Sequence, residues 1–89
     1  MTTTDGAMKT ELLETRYYEE STYFLLSARF HAIEYFLIVI EEAEESAMAL
    51  FGSDRSLAER WFGTAASEGL AAIHLGDYAK DCAYEAEFF

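Results

Sequence analysis

The sequence contains no proline in 89 residues, where an average frequency of ~5% would give about four. Proline lacks the amide hydrogen that a helix interior uses, so its absence favours long uninterrupted helices. There is one cysteine, which excludes an intramolecular disulfide scaffold and a zinc site built from cysteines. A chain of this length is expected to form one domain.

Basic side chains are also scarce, with 6 Lys and Arg against 17 Asp and Glu and a formal net charge of -11. They are scattered along the chain: Lys9, Arg16, Arg29, Arg55, Arg60 and Lys80. Proteins that bind nucleic acid need clustered cations, so direct contact with nucleic acid or an anionic membrane is not expected. A basic, nucleic-acid-handling protein partner is favoured, and acidity that only maintains solubility is the alternative.

Long hydrophobic runs are absent too. The longest apolar run is Tyr35 to Ile40, between Glu34 and Glu41, which is far shorter than the ~20 residues that span a bilayer. The first residues contain neither the basic nor the apolar segment of a secretory signal. We expect a soluble, cytoplasmic protein.

Hydrophobic residues make up 52% of the chain and aromatics 16%, which predicts a folded domain. Residues 10–51 contain neither Gly nor Pro, and apolar side chains recur there mostly at steps of three and four, as in an amphipathic helix. These positions are Tyr23, Leu26, Phe30, Ile33, Leu37, Ile40, Ala47 and Phe51. The pattern predicts one long helix within a single helical domain over residues 10–89, preceded by a flexible polar tail over residues 1–9.

Gly52 ends this predicted helix, and Ser53 and Asp54 can cap the next one. The second helix is therefore expected to start between Ser53 and Ser56, with Gly76 as a candidate break before a last helical segment. The predicted fold is all-α, a long antiparallel hairpin of two to three helices that is paired into a helical bundle.

Two hairpins are expected to pair with each other. The helices of a single hairpin bury only the face between them, whereas the apolar run must be covered on more than one side. A monomer of this size buries only about 60–65% of its surface. We predict a homodimer or higher oligomer, although a different protein could cover the same surface. The predicted interface consists of Tyr35, Phe36, Leu37, Ile38 and Ile40.

Acidic residues cluster just after the apolar run. The sequence has no Lys or Arg between Arg29 and Arg55 that could neutralise them. The predicted partner-binding stripe consists of Glu34, Glu41, Glu42, Glu44 and Glu45. The alternative interpretation is a solvated face without a partner.

Catalytic and metal-binding patterns are missing. His31 and Glu34, like His74 and Asp77, are three residues apart, but the Glu-x-x-His pattern of carboxylate-bridged metal sites in helical bundles does not occur. Cys82 is eight residues from His74, and the glycines form no phosphate-binding loop. We expect no metal, no cofactor and no catalytic residues.

The sequence therefore favours a non-enzymatic, acidic helical protein that acts through protein–protein interaction. In its sharpest form this is a phage-type inhibitor or nucleic-acid mimic, whose carboxylates stand where phosphates would and dock on a basic partner. A structural or adaptor subunit of a homo-oligomer is the alternative. A ligand- or metal-binding helical bundle is less favoured.

Overall fold

The computed structural model describes residues 9–87, in which four antiparallel strands precede two helices. The strands follow one another across a single sheet in the order β1-β2-β3-β4. Their bounds are β1 (Lys9–Tyr18), β2 (Ser21–Phe30), β3 (Ile33–Glu41) and β4 (Ser46–Leu50). They are followed by α1 (Arg55–Ser67), a short 3-10 helix (Ala72–His74) and α2 (Leu75–Glu87).

The predicted all-α hairpin and helical bundle are wrong, because residues 10–51 form the sheet instead of one long helix. β2 and β3 carry apolar side chains on both faces, and such continuous runs contain steps of three and four as well as steps of two. Their aromatic and β-branched side chains favour strands, as in Ile38, Val39 and Ile40. Of the tail predicted over residues 1–9, Lys9 begins β1 and residues 1–8 lie outside the described residues.

The first two hairpin turns lack the glycine that usually marks such turns. His31 and Ala32 join β2 to β3 and both have positive φ, at 53° and 67°. Glu19, the first residue of the turn between β1 and β2, has φ 54°. Two-residue hairpins need these left-handed conformations, which Gly, Asn and Asp adopt at least cost. The sequence therefore contained no ordinary turn signal between the strands.

The helices cover one face of the sheet and form the core with it. Alternate residues of β2 and β3 on this face pair in register, as do Tyr23 with Ile40 and Leu25 with Ile38. The buried core combines these strands with both helices and contains Tyr23, Leu25, Phe36, Ile38, Ile40, Phe51, Ala58, Trp61, Phe62, Ala66, Ala72, Leu75 and Cys82. The Tyr23 hydroxyl donates a hydrogen bond of 2.8 Å to the Leu70 carbonyl, which ties β2 to the segment between the helices.

The first helix begins where the sequence predicted. Asp54 is its N-cap, and its Oδ1 accepts a hydrogen bond of 3.0 Å from the amide of Leu57. The break between the helices was expected at Gly76 but lies near Gly69, which has φ 68°. Gly76 instead lies inside the first turn of α2.

The molecule consists of two layers. Its principal extents are 41, 35 and 18 Å, and the smallest matches one helical layer packed about 10 Å from one sheet. No element among the described residues packs on the other face of the sheet. Within residues 9–87, no helix has the length and apolar character of a bilayer-spanning segment.

We expect Gly69→Ala to destabilise the fold. The left-handed conformation costs a residue with a Cβ about 1–2 kcal/mol, and a Cβ at this position would lie 2.6 Å from Cε1 of Tyr18. Gly76→Ala is the matched control, because a Cβ there meets nothing within 4 Å and alanine favours a helix by up to about 1 kcal/mol. Urea unfolding measures both variants, and a Gly69→Ala protein as stable as the wild type would show that Gly69 is not required at this turn.

Candidate interaction surface

The face of the sheet opposite the helices is exposed and apolar, and we call it the open face. It is formed by the residues of β2 and β3 that alternate with the core residues, and by their partners in β1 and β4. Its apolar members are Leu12, Tyr17, Phe24, Leu26, Ala28, Phe30, Ile33, Tyr35, Leu37, Val39, Met48 and Leu50. The central strands β2 and β3 are therefore apolar on both faces.

Four leucines cross the open face in one row at right angles to the strands. Leu12 pairs with Leu26, which pairs with Leu37 on its other side, and Leu37 pairs with Leu50. Because register partners point to the same face, the four side chains lie next to one another across the whole sheet. We call this set the leucine row.

Many of these side chains are in contact with solvent in the single chain. Leu12 is 54% exposed, Leu50 56%, Met48 65% and Tyr17 75%. Most of the large exposed apolar side chains in the described residues lie on the open face. A soluble monomer seldom exposes a contiguous apolar patch larger than a few hundred Å², and larger patches are usually binding surfaces.

Charged groups are nearly excluded from the open face. The strand residues that point to this face include one carboxylate, Glu41, which lies at the end of β3. Glu14 and Arg16 of β1 point to the helices instead. They form an ion pair of 2.6 Å, and the Arg16 guanidinium lies 5.8 Å from the centre of the Phe62 ring. Among the described residues, most charged side chains thus lie away from this surface.

One end of the sheet holds a concentration of carboxylates, which we call the acidic end. The β1–β2 turn and the β3–β4 connection meet there, because the strands are antiparallel. Its members are Glu19, Glu20, Glu41, Glu42, Glu44 and Glu45. Burial raises the pKa of nearby Tyr23, and the charges of Glu42 and Glu19 raise it further.

The opposite end, which we call the mixed end, carries cations as well. Lys9, Arg29 and Glu34 are neighbours in adjacent strands, and α1 begins nearby with Arg55. The charged groups of the mixed end are Lys9, Arg29, Arg55, Glu11, Glu34, Asp54 and Glu59, with a formal sum of -1 from three cations and four carboxylates. Among the described residues, neither Lys9 nor Arg29 makes a salt bridge.

The structure divides the predicted oligomer interface between the two faces of β3. Tyr35 and Leu37 lie on the open face, where a partner could reach them. Phe36, Ile38 and Ile40 point to the helices and are at most 1% exposed. These three side chains are therefore buried in the core of the single chain.

The predicted acidic stripe is divided in a similar way. Glu41, Glu42, Glu44 and Glu45 are brought together at the acidic end, but Glu34 lies at the mixed end of the same strand. Glu42 is half-buried, and its Oε2 accepts a hydrogen bond of 2.9 Å from the amide of Ala72. It ties the β3–β4 connection to the 3-10 helix, so it is less available to a partner than its neighbours.

Part of the open face could not be recognised in the sequence. Leu12, Met48 and Leu50 belong to no helical stripe and were not singled out. The available signal was alternation by two in β4, where Ser46, Met48 and Leu50 are exposed between the half-buried Ala47 and Ala49. This strand is short, so the signal covers few residues.

The thiol of Cys82 is the one candidate nucleophile of its type in the chain. It lies beside a cavity of about 270 Å³ between the β4–α1 connection and the two helices. The lining is apolar apart from Ser53, Asp54 and the thiol itself. Burial raises the pKa of Cys82 to about 11, and the charges of Glu85 and Asp81 act in the same direction. The thiol is therefore protonated near neutral pH and is a poor nucleophile.

The two histidines lie in different parts of the molecule. His31 is in the β2–β3 turn with its ring against Phe30, whereas His74 ends the 3-10 helix. Within the described residues, no group of three or more His, Cys, Asp or Glu side chains is placed to hold a metal ion.

Comparisons with protein-family models, curated protein sequences and solved structures found no match to this chain.

We expect Cys82 to react slowly with a disulfide reagent such as Ellman's reagent at pH 8. The side chain is 4% exposed, and its raised pKa leaves little thiolate at that pH. The rate in urea, where the chain is unfolded, is the reference and should be far higher. Equal rates in buffer and in urea would contradict the buried, protonated state of this thiol.

Neutralising part of the acidic end should stabilise the fold. We expect Glu41→Gln, Glu44→Gln and Glu45→Gln together to raise Tm at low ionic strength, because like charges repel one another there. The gain should shrink in about 1 M salt, where screening acts over about 3 Å. Glu59→Gln is the control, since Glu59 pairs with Arg55 at 3.0 Å and its loss should give no gain. A Tm gain that does not depend on salt would contradict the electrostatic origin.

Proposed function

We propose that this protein is a non-enzymatic subunit that acts through protein–protein contact, and that a second copy of the chain covers its open face. The observation that carries the proposal is the contiguous apolar surface of β1–β4, which no element of the described chain covers. Sheets of this kind pack face to face about 10 Å apart, with their side chains interdigitated.

The size of the open face suits a homodimer. The four strands contain 10, 10, 9 and 5 residues, and each strand residue covers about 16 Å² of sheet plane. This gives roughly 550 Å² per copy and about 1,100 Å² for two copies, before side-chain relief is counted. Specific interfaces bury more than about 1,000 Å² in total, so self-association reaches that range.

The charge distribution also favours a second copy of the chain as the molecule that covers the open face. Each copy carries a net charge of -11, which would oppose association if the carboxylates faced one another across the contact. Among residues 9–87, Glu41 is the only charged strand residue on the open face, and it lies at the edge. Two copies can therefore meet without burying a charge, which would cost several kcal/mol.

We expect the purified protein to be a dimer at micromolar concentration, with twice the monomer mass of 10.1 kDa in light scattering. Leu37→Asp should raise the dimer Kd by at least about 100-fold, because a buried unpaired carboxylate costs several kcal/mol. Met48→Asp should act in the same direction with an intact fold, since Met48 is 65% exposed in the single chain.

Ile73→Asp is the matched control for these variants. Ile73 is 68% exposed but belongs to the 3-10 helix, outside the sheet. We expect this variant to remain a dimer with an unchanged circular dichroism spectrum. A wild-type protein that is monomeric at micromolar concentration would overturn the proposal, and so would a folded Met48→Asp variant with the dimer Kd of the wild type.

A second candidate function uses the acidic end. Its six carboxylates have no cation among them in the turns that form it, so their field is available to a basic protein, including one that handles nucleic acid. Docking of an inhibitor or nucleic-acid mimic on such a partner stays a prediction. The homodimer is the better supported function, because it also accounts for the uncovered apolar face.

A further inference from the structure

We infer that the cavity beside Cys82 binds a small, uncharged, mostly apolar molecule that carries a hydrogen-bond acceptor, such as an aromatic ketone or ester. The cavity lies between the β4–α1 connection and the two helices. Of the described residues that line it, only Leu50 also belongs to the open face, so the inference does not depend on a second copy of the chain.

The cavity has the size and the lining of a site for a small molecule. Its volume is about 270 Å³, whereas a dry apolar cavity of about 150 Å³ already holds benzene. Phe51 and Leu57 supply large apolar walls, and α2 contributes the small side chains of Ala79, Ala83 and Ala86. Ala83 and Ala86 are exposed, so the cavity can be entered from solvent at this side. A molecule somewhat larger than one aromatic ring therefore fits.

The walls of the cavity are fixed by hydrogen bonds. The Tyr78 hydroxyl donates to the Trp61 carbonyl at 3.1 Å, which joins α2 to α1. On the other side, the Phe51 amide donates to the Phe36 carbonyl at 2.7 Å, and the Asp54 carboxylate caps α1. Ligand sites are usually formed in this way before the ligand arrives.

One polar group of the lining residues has no partner. Trp61 is 7% exposed, and its buried indole nitrogen makes no hydrogen bond to any described residue. The indole N–H can only donate, and a buried one usually finds an acceptor because an unsatisfied donor is costly. This donor favours a ligand with a carbonyl oxygen. The nitrogen is closed off from solvent in the single chain, so the ligand must turn the indole to meet it, a kind of side-chain change that is common on binding.

The charges around the cavity favour an uncharged ligand. Asp54 is the one charged side chain among the described lining residues, and it already accepts a hydrogen bond from the amide of Leu57. An anion would be repelled by the net charge of -11. A cation would exchange its hydration for mostly apolar contacts, which is costly.

Nuclear magnetic resonance tests the site directly, because Trp61 is the one tryptophan of the chain and gives a single indole N–H resonance. Acetophenone and ethylbenzene are matched probes, since they have similar shapes and differ in the carbonyl oxygen. We expect both to shift the amide resonances around the cavity in a saturable titration. Only acetophenone should move the indole proton downfield, as a new hydrogen bond does.

Three variants locate the bound probe. Trp61→Phe removes the donor and keeps an aromatic ring, so it should weaken acetophenone binding about threefold or more beyond any change for ethylbenzene. Ala83→Leu fills the cavity from an exposed position of α2 and should abolish saturable binding of both probes. Lys80→Leu is the control, because it adds the same side chain to α2 outside the cavity lining and should leave both affinities unchanged.

A ring of this chain is the competing occupant, since Phe88 and Phe89 follow α2 in the sequence and lie outside the described residues. If the wild type binds neither probe but Phe88→Ser with Phe89→Ser binds both, the chain fills its own cavity and the inference is overturned. Failure of both proteins to bind overturns it as well, and so does binding that survives Ala83→Leu. Acetophenone that binds without moving the indole resonance overturns the assigned hydrogen bond. Saturable binding that is lost in Ala83→Leu, together with a downfield indole shift, supports the inference.

Discussion

The structure depends on one constraint, which is that β2 and β3 are apolar on both faces while the helices cover only one. Tyr23, Leu25, Phe36 and Ile38 supply the face that α1 and α2 bury. Phe24, Leu26, Tyr35 and Leu37 supply the other. Two helices of 13 residues each form a single layer, so the described chain has no second layer with which to close the sheet. Within residues 9–87, nothing is left to cover the second face.

The same constraint explains what the sequence could predict and what it could not. Periodicity separates helix from strand only when one face is polar, and here neither face of the central strands is. Proline was absent and the turns used Glu19, His31 and Ala32 in left-handed conformations, so the usual markers of a hairpin were missing as well. Enrichment in Tyr, Phe, Ile and Val between Tyr23 and Ile40 was the signal that favoured strands, and it was outweighed by the apparent helical stripe.

Where local chemistry dominates, the sequence was sufficient. Asp54 capped the helix that follows it, because a carboxylate at that position can accept a hydrogen bond from the third amide beyond it. The excess of apolar side chains around Leu37 could also be recognised from the sequence alone. Leu12 and Leu50, which complete that surface, were not, since they join Leu26 and Leu37 only through the strand register. Residues that meet in a row across four strands are not regularly spaced in the sequence, so their spacing does not reveal the row.

Charge and apolar surface are separated in this molecule, and the separation determines how salt should affect the association of two copies. Salt screens the general repulsion between two copies of charge -11, so it should strengthen association through an uncharged face. Lys9 and Arg29 share the helix side of the sheet with Ser27 and Phe36, so they do not offset this repulsion across the open face. In the proposed dimer the apolar face therefore supplies the affinity, while the net charge of each copy opposes association most strongly at low salt.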